Sequence, residues 1–166
     1  MRMGIAAALM AVTIPAHAGE APATFEFKGV KATDQRAPHE ALFSKCEVYF
    51  GFTGCTFKDG SFAGVDGTLE IGWGDEGRTL LLVRGYFDGK SYPALRDEFR
   101  RKWGEPARFT EIEEKGAFDL VRQKQESVWL FAEGELTLTG PGAANASRFE
   151  FVTPERKAFL EAMEKD

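Results

Sequence analysis

Two cysteines are the first residues whose type and spacing suggest chemistry. The 166-residue chain contains only Cys46 and Cys55. In an oxidising compartment an isolated pair is most simply a disulfide. A redox pair would favour C-x-x-C spacing, and a zinc site would need two further ligands, for which His39 is the only histidine outside the N-terminal segment. Disulfide, free thiols and a chemically active pair therefore stay open, in that order.

The other residues that could carry catalysis lack suitably spaced partners. A nucleophilic site would have to use His39, which follows Pro38 and has no G-x-S-x-G elbow to serve. Glu111, Glu113 and Glu114 form an acidic run, but paired carboxylates act in catalysis only when they converge in a cleft. The run is more typical of a solvated strand or loop. We therefore expect no catalytic residue and no metal site.

A glycine motif at residues 72–77 matches G-x-G-x-x-G, the fingerprint of dinucleotide binding. That fingerprint needs a helix to begin directly after it, so that the helix N-terminus meets the pyrophosphate. Here a β-rich run follows instead, from Arg78 to Phe87. The glycines more simply supply a turn, and we expect no cofactor.

The N-terminal segment has the three parts of a secretory signal peptide. Arg2 gives a positive start, an apolar run covers residues 4–12, and Ala16-His17-Ala18 provides the A-x-A end. A transmembrane anchor would need about 20 apolar residues, and this run is shorter. We predict a cleaved signal at residues 1–18, a single domain at 19–166, and a periplasmic or secreted location.

Charge and composition narrow the class of partner. The net charge is −5, and loss of Arg2 with the signal would make it −6. An acidic domain lacks the electrostatic footprint of a nucleic-acid or anionic-membrane binder. The 15 phenylalanines are spread along the chain, which favours a sheet core.

One amphipathic helix is predicted from Tyr92 onwards. Ser91 is its expected N-cap, and Gly104 with Pro106 ends it. Four large residues recur at spacings of three and four, which places them on one buried stripe. These core anchors, with Trp129 from a later strand, are Tyr92, Leu95, Phe99, Trp103 and Trp129. Arg96 and Arg100 share a face beside the stripe, and are either a solvated face or a partner-binding patch.

The rest of the chain alternates as strands do. We predict a first strand at 24–30, a strand at 46–53 with Val48, Phe50 and Phe52 on one face, and a last strand at 148–152. Hairpins are predicted at 65–87 and 127–139, and a short helix after Thr153. The expected class is α+β: an antiparallel sheet with one amphipathic helix packed on one face and a short C-terminal helix.

A resemblance rests on two short motifs. F-x-x-x-W-G-x-P runs from Phe99 to Pro106, and Trp129-Leu130-Phe131 precedes a Gly-Glu-Leu-Thr-Leu run at 134–138. Together they resemble small exported bacterial proteins of unknown function. The implied helix-on-sheet fold is similar to that of β-lactamase inhibitor proteins and of a small outer-membrane assembly lipoprotein. No cysteine follows the signal, which argues against the lipoprotein.

These observations favour a non-enzymatic periplasmic protein-binding module, of the inhibitor, immunity or envelope-assembly type. Its partner would be another envelope protein. The alternative is a small-ligand binder or enzyme that uses a pocket between helix and sheet. A broad exposed aromatic surface would favour the first function, and a deep pocket with converging charges would favour the second.

Overall fold

The fold is seen in a computed structural model, which describes residues 23–49, 51–115 and 121–163. The predicted signal segment and its cleavage site after Ala18 lie outside these ranges. Two α-helices are formed in the described chain, α1 at Tyr92–Trp103 and α2 at Pro154–Met163.

Strands make up most of the rest of the described chain. They are β1 Glu26–Phe27, β2 Val30–Lys31, β3 Phe43–Tyr49, β4 Phe52–Phe57, β5 Ser61–Phe62, β6 Val65–Asp66, β7 Thr68–Gly74, β8 Thr79–Asp88, β9 Arg108–Lys115, β10 Val121–Phe131, β11 Gly134–Pro141 and β12 Ala146–Val152. Because so much of the chain is strand, the predicted α+β class overstates the helices, and a dominant antiparallel sheet describes the molecule better.

Eight strands form one antiparallel sheet in the order β3-β4-β7-β8-β12-β11-β10-β9. The order consists of two four-stranded meanders, β3-β4-β7-β8 and β9-β10-β11-β12. They join where β8 pairs with β12, with Val83 opposite Phe151. The first meander therefore leaves β3 at one edge of the sheet, and the second leaves β9 at the other.

One face of the sheet carries the hydrophobic core, and we call it the covered face. Residues at alternate positions of the central strands point into it, and Leu69, Ile71, Val83, Phe149 and Phe151 are fully buried there. Leu95 and Phe99 of α1 pack on this face, where the Phe99 ring lies 5.3 Å from that of Phe149. The hairpins β1-β2 and β5-β6 complete the cover through buried Phe25 and Phe27 and part-buried Phe62.

The ends of α1 differ in how well sequence predicted them. Gly104 ends the helix with φ +78°, in the region that favours glycine. The indole of Trp129 donates a hydrogen bond of 2.9 Å to the Gly104 carbonyl and so ties the helix end to β10. The predicted hydroxyl cap at Ser91 is wrong, because that residue is itself in a helical conformation and its side chain makes no cap hydrogen bond. A short 3₁₀ turn, Gly89–Ser91, leads into the helix and is capped by the Asp88 carboxylate.

Two strand predictions near the N-terminus are wrong in detail. The strand expected at 24–30 is broken at Lys28 and Gly29, whose positive φ angles turn the chain between β1 and β2. The strand expected at 46–53 is two strands joined by a turn. Val48 lies opposite Thr53, so Val48 and Phe52 face opposite sides of the sheet. Phe50 lies outside the described residues.

The disulfide between Cys46 and Cys55 is confirmed. The two residues lie directly opposite each other on β3 and β4, with Cα atoms 4.0 Å apart. Cys55 is buried against the core, whereas Cys46 is exposed at the sheet edge. Such a bond is compatible with an oxidising compartment.

Candidate functional site: the open face of the sheet

The predicted partner-binding arginines lie on α1, and each has an acidic neighbour. Arg96 contacts Asp97 at 2.9 Å, and Arg100 contacts Glu105 at 3.2 Å. Both arginines are part-exposed, so they are accessible to a partner. Their charge is balanced locally, which weakens the long-range field that such a patch would otherwise project.

The predicted core anchors lie beneath or along α1. Tyr92, Leu95, Phe99 and Trp129 are buried, and Trp103 is half-buried above Phe25, with ring centroids 5.6 Å apart. The hydroxyl of Tyr92 is also enclosed and has no hydrogen-bond partner of good geometry among the described residues. Burial raises the pKa of Tyr92, while Ser127 and the two arginines oppose the shift.

The residues singled out for catalysis do not converge. The His39 ring contacts the Asp34 carboxylate at 3.1 Å, close to its own turn. The acidic residues Glu111, Glu113 and Glu114 lie on the edge strand β9 and pair across to β10 with Gln125, Gln123 and Lys124. Across the described ranges no three His, Cys, Asp or Glu residues stand together as metal ligands would.

The opposite face of the sheet, which we call the open face, carries a different set of side chains. The strand register places five of them on the first meander. They are Tyr49 on β3, Phe52 on β4, Glu70 on β7, and Arg84 and Tyr86 on β8. Neither α1 nor the two small hairpins packs on this side, and α2 touches it only at one end, where Arg156 lies on the ring of Phe52. Seven strand spacings of about 4.8 Å make the sheet roughly 34 Å wide, and strands of this length run about 20–25 Å. This side of the whole sheet, including the part that α2 touches, is therefore comparable in area to one side of a standard protein interface, about 800 Å².

A row of alternating charge crosses the centre of the open face. Glu70, Arg84 and Glu150 lie opposite one another on β7, β8 and β12. Arg84 donates a 2.6 Å hydrogen bond to Glu70, and both side chains are about one-third exposed. Burial disfavours the charge on Arg84, but Glu70, together with Tyr86 and Glu150, outweighs it and raises the pKa of Arg84. The guanidinium is therefore held charged and fixed in position.

Two tyrosines flank that row. Tyr49 stacks on Phe52 with ring centroids 5.3 Å apart and lies over Gly54, where a Cβ atom would come within 2.8 Å of its ring. Tyr86 lies beneath the Arg84 guanidinium, whose Cζ atom is 5.7 Å from the centroid of the tyrosine ring. Tyr49 is 49% exposed and Tyr86 40% exposed. Half-exposed aromatic rings supported by packed neighbours are typical of residues that anchor protein interfaces.

The space among these side chains is too small for a substrate. A cavity of about 30 Å³ lies between Tyr49, Gly54 and Arg84. A cavity of that size holds no more than a few water molecules. Small-molecule sites usually span about 300–1,000 Å³. The centre of the open face is thus a surface rather than a pocket.

A larger cleft lies at one end of the central strands, between α2, the end of β7 and the start of β8. Its volume is about 350 Å³, and Gly74, Leu81, Arg156 and Phe159 line it. The Arg156 guanidinium lies between two rings, 4.6 Å from Phe52 and 5.1 Å from Phe159. Burial and the charge of Arg84 lower the pKa of Arg156. We call this space the α2 cleft.

Sequence reasoning missed the open face, although a signal for it was present. In β8 the residues Val83, Gly85 and Phe87 face the core, so Arg84 and Tyr86 must point the other way. The run Leu80–Val83 reads as continuously apolar and hides this alternation. A register shift between Gly72 and Trp73 accommodates Leu81 as an extra residue, which sequence does not reveal.

Comparison with known proteins adds no family. No family model, curated protein or solved structure matches the chain. Among the described residues, no helix has the length and apolar character needed to cross a membrane.

Proposed function

We propose that this protein is a non-enzymatic binding module of the periplasm or extracellular space, which recognises another envelope protein through the open face. The inhibitor, immunity and envelope-assembly roles all fit this proposal. The observation that carries it is the pairing of Tyr49 and Tyr86 around the fixed Glu70–Arg84 ion pair, on a face that α1 leaves uncovered.

The energetic argument follows from the composition of this face. Tyrosine and arginine are enriched among residues whose truncation costs a protein interface more than about 2 kcal/mol. Both tyrosines are already packed on neighbours, so little side-chain entropy is lost when a partner covers them. The ion pair is already formed, so a partner need not reorganise it.

The test is a comparison of matched variants. Tagged protein is incubated with periplasmic extract, the retained proteins are identified, and affinity for the purified partner is then measured. Tyr49→Ala with Tyr86→Ala is expected to weaken binding by at least about 30-fold, since each truncation removes roughly 1–2 kcal/mol. The control is Phe109→Ala, because Phe109 is 48% exposed but lies on the covered side of β9.

A further arm separates the open face from the arginine patch on α1. Arg96→Glu with Arg100→Glu should leave binding nearly unchanged if the open face is the interface. If this variant slows association and the tyrosine variant does not, the partner binds α1 and the open-face proposal is wrong. Loss of binding in Phe109→Ala alone would contradict it equally.

The α2 cleft supports one alternative, a small-ligand binder that uses a space between helix and sheet. Its volume reaches the lower end of ligand sites, and the Arg156 charge suits an acidic group on an otherwise apolar molecule. In that case the same extract should yield a bound small acid by mass spectrometry. Arg156→Gln should then abolish its retention, and the tyrosine variant should not.

A further inference from the structure

The two edge strands of the eight-stranded sheet differ in how well their side chains suit pairing with a further strand. Strand β3 forms one edge, and every residue of β3 after Phe43 is exposed. Val48 is 84% exposed there, the largest value among the exposed large hydrophobic residues that the structure describes. An edge strand presents unpaired backbone groups, so it is a template for strand addition unless something blocks it.

The backbone of β3 points suitable groups outward. Cys46 and Cys55 are directly opposite with Cα atoms 4.0 Å apart, which is the spacing of a pair that exchanges no backbone hydrogen bonds. The N–H and C=O of Cys46 therefore point away from β4. Val48, two residues further along, repeats this orientation. A second strand laid along β3 would meet both residues' free groups.

The charges on β3 select one arrangement. A two-fold pairing of β3 with itself, centred on Cys46, sets Lys45 opposite Glu47 of the second copy, and the symmetry repeats this contact. Shifting the centre by one residue either way sets Lys45 against Lys45 or Glu47 against Glu47. Opposite charges on directly facing residues stabilise a sheet, and like charges destabilise it. The register centred on Cys46 is compatible with the backbone as well, because it sets the outward N–H and C=O of Cys46 against those of Cys46 in the second copy.

We propose that the oxidised protein self-associates through β3, which pairs antiparallel with β3 of a second copy about a two-fold axis at Cys46. Two eight-stranded sheets then become one continuous sheet, with both open faces on the same side. A single strand pair buries less than a standard interface, so the association is weak and reversible.

The charges on the other edge strand, β9, disfavour the same kind of self-pairing. Strand β9 is equally exposed, but it contains Glu111, Glu113 and Glu114. Each two-fold register that uses most of β9 sets Glu111 opposite Glu111 or Glu113 of a second copy. Like charges in those positions oppose self-pairing. Of the two edges, β3 is therefore the self-complementary one.

The experiment is sedimentation analysis of the oxidised mature protein from about 10 µM to about 1 mM, a range that spans the dissociation constants of weak associations. Wild type is expected to form dimers within this range. Glu47→Lys and Lys45→Glu should each weaken dimerisation by at least about tenfold, because each replaces two attractive pairs with two repulsive ones. The double variant, Lys45→Glu with Glu47→Lys, should restore it. Circular dichroism checks that each variant is folded.

The control is Glu161→Lys on α2, which is exposed, lies on neither edge strand, changes the net charge as Glu47→Lys does and should leave dimerisation intact. Hydrogen exchange gives a second readout: the amides of Cys46 and Val48 should gain protection as concentration rises. The proposal is overturned if wild type stays monomeric at about 1 mM, a concentration at which even an association with a millimolar Kd is partly formed. It is equally overturned if the charge swap fails to restore dimers, or if protection appears on β9 instead.

Discussion

The covered and open faces of the sheet are built from the same strands, but the covered face packs the hydrophobic core and the open face carries exposed aromatic and charged side chains. On the covered face, stacked rings exclude water, as where Phe25 lies 3.7 Å from Phe151 in a parallel stack. On the open face, rings alternate with charges, as where Tyr86 lies beneath Arg84. Because side chains alternate along a strand, each residue serves one face only. Stability and recognition are therefore separable in this molecule by changing neighbouring residues.

The comparison is sharpest for aromatic residues cut to alanine on the two faces. Phe99 is fully buried, and its ring is near those of Trp103, Trp129 and Phe149. Phe99→Ala should lower the free energy of unfolding by about 3–5 kcal/mol, a large part of a typical total of about 5–15 kcal/mol. Tyr86→Ala on the open face should cost less than about 1 kcal/mol. Half-buried Trp103 should fall between them.

Urea unfolding followed by circular dichroism measures these differences. The change in the midpoint should come without a large change in the slope, which shows that the variants unfold from the same compact state. If Tyr86→Ala costs as much as Phe99→Ala, the open face carries core stability. The separation of the two faces would then be refuted.

Sequence alone predicted the parts of this fold that have a strong local signal. The α1 stripe, the hairpin at 127–139 and the disulfide each follow from spacing within a short window. Strand β9 was not distinguished from a loop, because an edge strand exposed on both sides has no apolar alternation.

The candidate site was predicted less well than the fold. The open face combines β3, β4, β7 and β8, and its existence depends on strand order and on a register shift at Trp73. No local sequence pattern indicates the strand order or the register shift. Helical spacing in the sequence indicates directly that Arg96 and Arg100 share a face. No such signal marks Arg84 and Tyr86, because they lie in or beside a run that reads as core.

Removing the disulfide would test what holds the edge strand β3, where the covered face ends. Cys55 on β4 is buried beside the core, whereas β3 is exposed beyond Phe43 and pairs only with β4 among the described strands. Replacing both cysteines by alanine should cost about 2.5–3 kcal/mol, from the loop entropy of roughly ten residues. Thermal unfolding with and without reductant measures this, and the double variant should be insensitive to reductant. A cost near zero would mean that β3 is held by β4 pairing alone.

The smallest expected effect concerns how the covering hairpins are attached. The Lys28 ammonium contacts Asp59 at 2.7 Å and also bonds the carbonyls of Asp59 and Ser61, which ties the β1-β2 turn to the start of β5. Hydrogen bonds from Lys28 and Ser61 hold the pKa of Asp59 well below its usual range. On the open face, hydrogen bonds from Lys45 and Tyr49 lower the pKa of Glu47, but these partners are only two residues away.

A carboxyl whose pKa is lower in the folded state stabilises the protein above its unfolded pKa, and the stabilisation is lost as pH falls towards the folded value. For Asp59 the loss begins below about pH 4–5 and continues to strongly acid pH. Asp59→Asn should therefore flatten the decline of stability in this window and lower stability at neutral pH. Glu47→Gln should change the profile less, because contacts so close in sequence persist partly in the unfolded chain. Urea midpoints measured from pH 2 to pH 7 compare the two, and an equal or larger effect of Glu47→Gln would show that the local pair on the open face supports the fold as much as the Lys28–Asp59 contact does.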